Sequence, residues 1–330
     1  IDADNINAGS QGLGLMAGTV YANRIYVVGG ACTEDATPVN ATDPCAPAYS
    51  GNRKDTIYAS IDASNNIVAS SGSAWQFTTG QMNPVRRRAV AFGYNGYIYS
   101  LAGYSGTASL QDLLFAKIDV STGDMGNFDS SGVVVTPRWD LRAIVSNGYV
   151  YAIGGCGTGA APADCTAMQP EVQTFQLYNN DSGTPISYAA SANQFTTDRM
   201  GASSAIVNGY LYVAGGCTTT AEICTTTLDS VQYAAIDSYG ALSTAWVAGG
   251  SLPSARAWGQ LESAGGTLYY IGGQSNTATD ERPEVYWATP AAGAGTWATV
   301  SSSFDLPDGR TQHSATTWDD RIYVTGGIAE

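Results

Sequence analysis

The chain has 330 residues, of which 14 are Lys or Arg and 28 are Asp or Glu, so its formal net charge is −14. This acidic excess argues against a nucleic-acid partner and against docking on anionic lipid, because both surfaces require basic side chains. No apolar run approaches the roughly 20 residues that a membrane-spanning helix needs.

One short pattern recurs six times along the chain. A polar turn is followed by a short alternating apolar run, and the run ends in a glycine pair, as in Asn147–Gly155. The turn and the alternation predict a hairpin strand, and the glycines predict the point where the backbone leaves the sheet. The first residues of the six pairs are Gly29, Ala102, Gly154, Gly215, Gly272 and Gly326.

Two other residues keep a fixed distance from each pair. A Tyr lies three residues before it in all six copies, and an Arg lies sixteen residues before it in five copies. The first copy has Leu13 at the arginine position. Offsets that repeat in this way indicate one structural unit copied along the chain. The arginines are Arg86, Arg138, Arg199, Arg256 and Arg310.

A third and a weaker fourth strand complete each unit. The third strands are predicted near residues 56–62, 114–119, 172–177, 231–237 and 284–288. The fourth strands carry aromatic residues at Trp75, Phe128, Phe195, Trp246 and Trp297. No segment has a convincing helical period. A four-stranded antiparallel sheet is too small to bury its own faces, so the sheets are expected to pack radially against each other.

These features resemble the kelch repeat: the hydrophobic-Tyr-x-x-Gly-Gly ending, the upstream Arg and the later Trp, over nearly the whole chain. The resemblance implies an all-β, kelch-type β-propeller whose first strands line a central channel. We expect six four-stranded blades, with seven as the alternative, in one domain spanning residues 1–330.

The two ends of the chain are expected to share one incomplete blade. Ile1-Asp2 resembles Ile61-Asp62 at the end of a third strand, and Glu330 follows a second strand. We therefore expect the N-terminal strand to close the ring. The Ile1 start, with no Met and no signal-peptide pattern, indicates a processed chain or a fragment.

The six cysteines fall in pairs within three of the loops that follow glycine pairs. This placement predicts the disulfides Cys32–Cys45, Cys156–Cys165 and Cys217–Cys224, and hence an extracellular or cell-surface location. Free or metal-binding thiols are the alternative, but the chain has no CxxC and a single His, so we expect no metal. Asn40 and Asn180 match the N-glycosylation pattern.

The five arginines are candidate ligand-binding residues, because strand direction places them on one face with the cysteine loops. A guanidinium binds carboxylates through forked hydrogen bonds, so this face could recognise an anionic group. The alternative is that each Arg is an architectural contact of its blade. Trp139 and Trp258, which follow two of the arginines, are candidates for sugar stacking or for packing. His313 is a further candidate, either as a base or as a packed side chain.

Function is expected to be binding, and we expect no enzyme activity and no cofactor. A copper site with two His, as in galactose oxidase, cannot be assembled with one His, and no sialidase-type box, nucleophile elbow or phosphate loop occurs. The sequence thus favours an adhesive module that recognises a glycan or protein through the loops at 31–54, 156–171 and 217–228. The alternatives are a structural, self-assembling subunit of an extracellular filament or surface assembly, and a secreted propeller enzyme without a redox metal.

Overall fold

The computed structural model describes residues 13–14, 16–32, 53–68, 75–157, 165, 167–177, 185–219, 224–242, 245–276, 280–290 and 295–329. Within these ranges the protein is all β, apart from one 3-10 turn at Ser302–Phe304. None of the described segments forms a helix of the length and apolarity that crossing a membrane requires.

The strands follow each other along the chain with short connections. In chain order they are β1 (Leu13–Gly14), β2 (Ala17–Tyr21), β3 (Arg24–Val28), β4 (Ala31–Cys32), β5 (Thr56–Ile61), β6 (Ile67–Val68), β7 (Gln76–Phe77), β8 (Val90–Tyr94), β9 (Tyr97–Tyr104), β10 (Ser109–Lys117), β11 (Asp129–Val134), β12 (Arg142–Ser146), β13 (Tyr149–Ile153), β14 (Glu171–Leu177), β15 (Pro185–Gln194), β16 (Ser203–Val207), β17 (Tyr210–Ala214), β18 (Leu228–Ala235), β19 (Val247–Arg256), β20 (Gln260–Ala264), β21 (Thr267–Ile271), β22 (Val285–Ala288), β23 (Ala298–Thr299), β24 (Arg310–Thr311), β25 (Ser314–Trp318), β26 (Arg321–Thr325) and β27 (Ile328–Ala329).

These strands form five antiparallel blades. Blade 1 has the order β2-β3-β5-β6, with β7 also pairing with β5, and blades 2 to 5 contain β8–β11, β12–β15, β16–β19 and β20–β23. Each first hairpin turns through two residues of positive φ, as at Asn147 (50°) and Gly148 (80°). This turn geometry matches the right-handed twist of paired strands, which explains the repeated Asn-Gly turns.

The first strands of the blades surround a central channel, and β25 completes the circle between blades 5 and 1. The amide of Gly18 in β2 donates to Ser314 Oγ in β25 at 2.9 Å. Leu261 N in β20 donates in the same way to Ser203 Oγ in β16 at 2.6 Å. Hydroxyl side chains thus connect neighbouring first strands that share no backbone ladder. The described chain is therefore a closed β-propeller ring.

The expectation of six four-stranded blades, with seven as the alternative, is wrong, because the described residues form five blades. The sixth place in the ring holds only the hairpin β25–β26. β27 pairs with β24 as β4 pairs with β1 in blade 1, and no described strand pairs with the outer edge of β26. The N-terminal strand that we expected to close the ring falls within residues 1–12, outside the described residues.

The apolar core lies between the blades. One cluster joins blades 2 and 3, with Leu101 and Val150 both 0% exposed, and another joins blades 4 and 5. The five fourth-strand aromatics predicted from the sequence are all buried, at 3–9% exposure. Burial of both faces of each blade explains why single sheets of this size are stable only as a ring.

Three of the repeated tyrosines, Tyr26, Tyr151 and Tyr323, bridge neighbouring blades. Tyr151 donates its hydroxyl to Gly240 O at 2.8 Å, and Tyr323 in β26 donates to Asn65 O of blade 1 at 2.9 Å. Burial raises the pKa of Tyr151 to about 12. In contrast to the first four tyrosines, Tyr269 and Tyr323 are only partly buried, and both line a cleft of about 700 Å³ beside β26.

Candidate functional site

The five repeated arginines and the six glycine pairs lie on one face of the ring, which we call the glycine face. The amide of the second residue of each pair donates to the carbonyl of the Arg that begins the next blade. The five bonds are Gly30 to Arg86, Gly103 to Arg138, Gly155 to Arg199, Gly216 to Arg256 and Gly273 to Arg310, at 2.8–3.2 Å. The backbone of each Arg thus holds the preceding blade.

The arginine side chains explain the sixteen-residue offset. In four copies Nη1 donates to the carbonyl sixteen residues later, which belongs to the first residue of the pair in the same blade. These bonds join Arg86 to Ala102, Arg138 to Gly154, Arg199 to Gly215 and Arg310 to Gly326, at 2.8–3.1 Å. The sequence periodicity is therefore the spacing of a hydrogen bond that fixes the glycine turn.

The Nη2 groups of three of these arginines bind third-strand side chains. Nη2 donates to Asp112 from Arg86 at 2.8 Å and to Glu171 from Arg138 at 2.7 Å. Arg199 Nη2 donates to Ser230 Oγ at 3.1 Å, and burial lowers the pKa of Arg199 to about 10. Arg86, Arg138, Arg199 and Arg256 are 0–4% exposed. These contacts favour the architectural interpretation over an anion-binding ring.

The candidate aromatic residues are interior side chains. Trp139 is 1% exposed and lies under the guanidinium of Arg88, 4.9 Å from its carbon to the ring centre. Trp258 is 3% exposed and donates its indole N–H to Asp140 Oδ2 at 3.0 Å. Neither ring has a face open to a sugar in this structure.

Two of the three predicted disulfides are formed, Cys156–Cys165 and Cys217–Cys224. All four cysteines are 0–1% exposed and pack in one apolar layer with Tyr104, Trp139, Met200, Ala257 and Trp258. Cys45 lies outside the described residues, and so do the candidate glycosylation sites Asn40 and Asn180. Each bridge therefore fixes the ends of a short loop to the core beneath the glycine face.

A second ring of residues, the mouth ring, surrounds the channel at the glycine face. Its members lie two positions after each Arg, and all have left-handed backbones with φ of 51–59°: Arg88, Asp140, Gly201, Trp258 and Gln312. Each of the last four donates its amide to the carbonyl of the preceding member at 2.7–3.1 Å. Four of the five are not Gly, so the ring holds strained backbone, which often marks functional surfaces.

The mouth ring leaves little free space at this end of the channel. Arg88 Nη1 pairs with Asp140 Oδ2 at 3.0 Å, and a space of about 30 Å³ remains beside Trp258, Gln312 and His313. His313 is 2% exposed, and burial together with the charges of Arg142 and Arg310 lowers its pKa to about 3. This neutral, enclosed imidazole is poorly placed to act as a base on a solvent-borne substrate.

Beyond the mouth ring lies an axial cavity of about 310 Å³, lined by the first strands and by β25. Arg142 from β12 and Glu262 from β20 both line it. Sequence reasoning missed these two residues and, apart from Trp258, the mouth ring, because neither set repeats as a residue type. In the sequence, the mouth-ring residues share only one feature, which is that each lies two positions after a repeated Arg.

No group of three or more His, Cys, Asp or Glu side chains suited to holding a metal occurs in the described ranges. A scan against protein-family models and a search of the curated proteins both find no match for this chain. The likeness to kelch repeats therefore rests on the residues quoted from the sequence.

Proposed function

We propose that the protein is an extracellular, non-enzymatic binding propeller of kelch type. It recognises a glycan or a protein through the glycine-face loops at 31–54, 156–171 and 217–228. The two disulfides formed in the structure are consistent with an extracellular location.

The observation that carries this proposal is the anchoring of two loops by buried disulfides on one face of a closed ring. The inner cysteines Cys156 and Cys217 are 0% exposed, and their partners are nine and seven residues further along. Short loops held at both ends by a rigid scaffold are a common arrangement for recognition, because little conformational entropy is lost on binding.

The arginines support the choice of loops as the recognition surface. The Nη donors of Arg138 and Arg199 are engaged by blade carbonyls and a carboxylate, so an anion at these two residues would have to displace existing partners. An enzymatic function is less well supported by the described part of the chain, because its single His is buried and neutral.

Loop replacement tests the proposal. The labelled protein is screened against a glycan panel and against cell surfaces, and the best binder is then titrated. Replacing the residues enclosed by each disulfide with Gly-Ser segments of equal length, with the cysteines retained, should lower affinity about tenfold or more. The matched control replaces the Asn95-Gly96 and Asn208-Gly209 turns on the opposite face with Asp-Gly. Unchanged binding after loop replacement would exclude these loops as the recognition surface.

A structural subunit of an extracellular assembly is the second candidate, and the incomplete sixth position favours it. Among the described residues β26 pairs only with β25, and no described strand lies on its outer edge. The adjacent 700 Å³ cleft is lined by apolar side chains that include Leu306, Ile322 and Val324. A free strand edge beside an apolar cleft can accept a strand from another chain.

Solution mass tests this second candidate. If the cleft joins copies of the protein, sedimentation should show concentration-dependent oligomers, and Val324→Asp should return them to monomers. The exposed variant Asp129→Asn on β11, which does not line the cleft, should leave the oligomers intact. A wild-type protein that stays monomeric at every concentration would count against self-assembly through this edge.

A further inference from the structure

The axial cavity contains two fixed groups of opposite charge that do not pair with each other. Its volume of about 310 Å³ lies at the lower end of the range for small-molecule sites, roughly 300–1,000 Å³. Apart from Arg142 and Glu262, the walls are formed mainly by small and hydroxyl side chains, including Ser204, Ser263 and Thr316.

Arg142 is held in place by carbonyls of two other blades. It begins on β12 in blade 3, and Nε donates to Ala202 O at 3.1 Å while Nη2 donates to Gly259 O at 3.2 Å. These bonds draw the guanidinium across the channel toward blade 5. Within the described residues Nη1 has no hydrogen-bond acceptor, so one donor group remains for a ligand.

Glu262 is held from the opposite side. Its Oε2 accepts the hydroxyl of Thr317 in β25 at 2.7 Å, and the backbone of Thr317 also donates to the carboxylate. Burial raises the pKa of Glu262 to about 7, opposed by the Thr317 hydrogen bond and by the positive charge of Arg142. The hydrogen bonds and the charge of Arg142 therefore do not fully offset the cost of burying the charged form of Glu262.

The two groups influence each other electrostatically, but they form no ion pair among the described side chains. Burying two charges without direct pairing is unfavourable, because neither recovers the hydration that it loses. A ligand with a negative and a positive end would satisfy both at once. Such a ligand has no net charge, so the net charge of −14 does not repel it.

We propose that the axial cavity binds a small zwitterion of the free amino acid class. Its carboxylate accepts from Arg142 Nη1, and its ammonium group donates to the Glu262 carboxylate, whose oxygens have further lone pairs. The side chain of a small amino acid then contacts the hydroxyl-lined wall.

The ligand enters from the face opposite the glycine face. The cavity lining continues along β12 to Val145 and along β20 to Ser263, toward the hairpin turns. At the mouth ring only the 30 Å³ space remains, which admits no more than water. This site is separate from the disulfide-anchored loops, so loss of one binding activity leaves the other measurable.

Calorimetric titration with glycine, alanine and serine tests the proposal, with acetate and methylamine as one-ended probes. Wild-type protein should bind the amino acids saturably. Its affinity for acetate and for methylamine should be at least about tenfold lower than its affinity for glycine. Glu262→Gln should lower glycine affinity about tenfold or more, while its thermal stability is retained, because the change is isosteric and removes a buried charge.

Two further variants keep the result interpretable. Asp320→Asn removes one exposed carboxylate away from the cavity and should bind glycine as the wild type does. Arg142→Lys keeps the positive charge but loses the fixed guanidinium, so it should weaken glycine and acetate binding in parallel. No saturable amino acid binding at millimolar concentration, equal affinity for acetate and glycine, or full glycine binding by the Glu262→Gln variant would each overturn the proposal.

Discussion

Truncation of Arg138 offers a direct measure of what the repeated arginines contribute. The side chain is 0% exposed and donates from Nε to Thr136 O at 3.0 Å, from Nη1 to Gly154 O at 3.0 Å and from Nη2 to Glu171 Oε1 at 2.7 Å. Arg138→Ala leaves two carbonyls and one carboxylate without these donors. Each loss costs about 1 kcal/mol, because water that enters the space restores only part of the hydrogen bonding.

The expected loss of unfolding free energy is therefore about 3 kcal/mol. For a chain of 330 residues this corresponds to a fall in Tm of about 4 °C, given an unfolding entropy of about 2.1 cal/mol/K per residue. Arg138→Lys should recover only part of the loss, since one ammonium group cannot serve three separated acceptors.

Urea unfolding followed by tryptophan fluorescence, with calorimetry for Tm, provides the measurement. The matched control is Arg321→Ala on β26, because Arg321 is exposed and its removal should change stability by no more than about 0.5 kcal/mol. If Arg138→Ala proves as mild as the control, the arginines do not hold the blades together. Their recognition of an anionic ligand would then become the better interpretation.

Three further predictions concern the turns, the buried imidazole and the disulfides. Gly209→Ala should lower the free energy of unfolding by about 1 kcal/mol, because the residue has a φ of 77°. Gly215→Ala should lower it further, because an added Cβ would lie 2.5 Å from Arg256 O. Equal losses of unfolding free energy in urea would contradict this prediction. His313, with its pKa lowered to about 3, takes up a proton only on unfolding, so wild-type stability should fall from about pH 6.5 toward 3. In His313→Gln the stability should change less with pH over this range. An unchanged slope would refute the assignment of this pH dependence to His313. Non-reducing peptide mapping should recover one bridge within each of the three two-cysteine loops, and a bridge between loops would contradict the pairing.

Glu262 contributes to the pH dependence of folding stability with the sign opposite to that of His313. Because its folded pKa is raised from 4.5 to about 7, the folded protein retains a proton that the unfolded chain has lost, and stability falls as pH rises through that window. Glu262→Gln should remove this fall. Comparing the two single variants with the wild type separates the two effects, and a pH profile that neither change alters would contradict both assignments.

The sequence by itself determined the repeating unit, because that unit is built from local interactions. Two-residue turns require left-handed backbone, and the Asn-Gly turns and glycine pairs that supply it recur at visible intervals. The apolar alternation located the second and third strands of every blade. Cysteines placed a few residues apart in single loops identified both disulfides that the structure describes.

Tertiary structure decided the features that depend on how blades meet. The sixteen-residue offset was visible in the sequence, but its meaning as a bond such as Arg138 Nη1 to Gly154 O was not. The number of blades was predicted wrongly, because the sixth hairpin, β25–β26, has no third strand among the described residues. Arg142 and Glu262 are 120 positions apart, and only closure of the ring brings them into one cavity. Local patterns specify each blade, whereas the channel is formed by side chains that face each other across the whole ring.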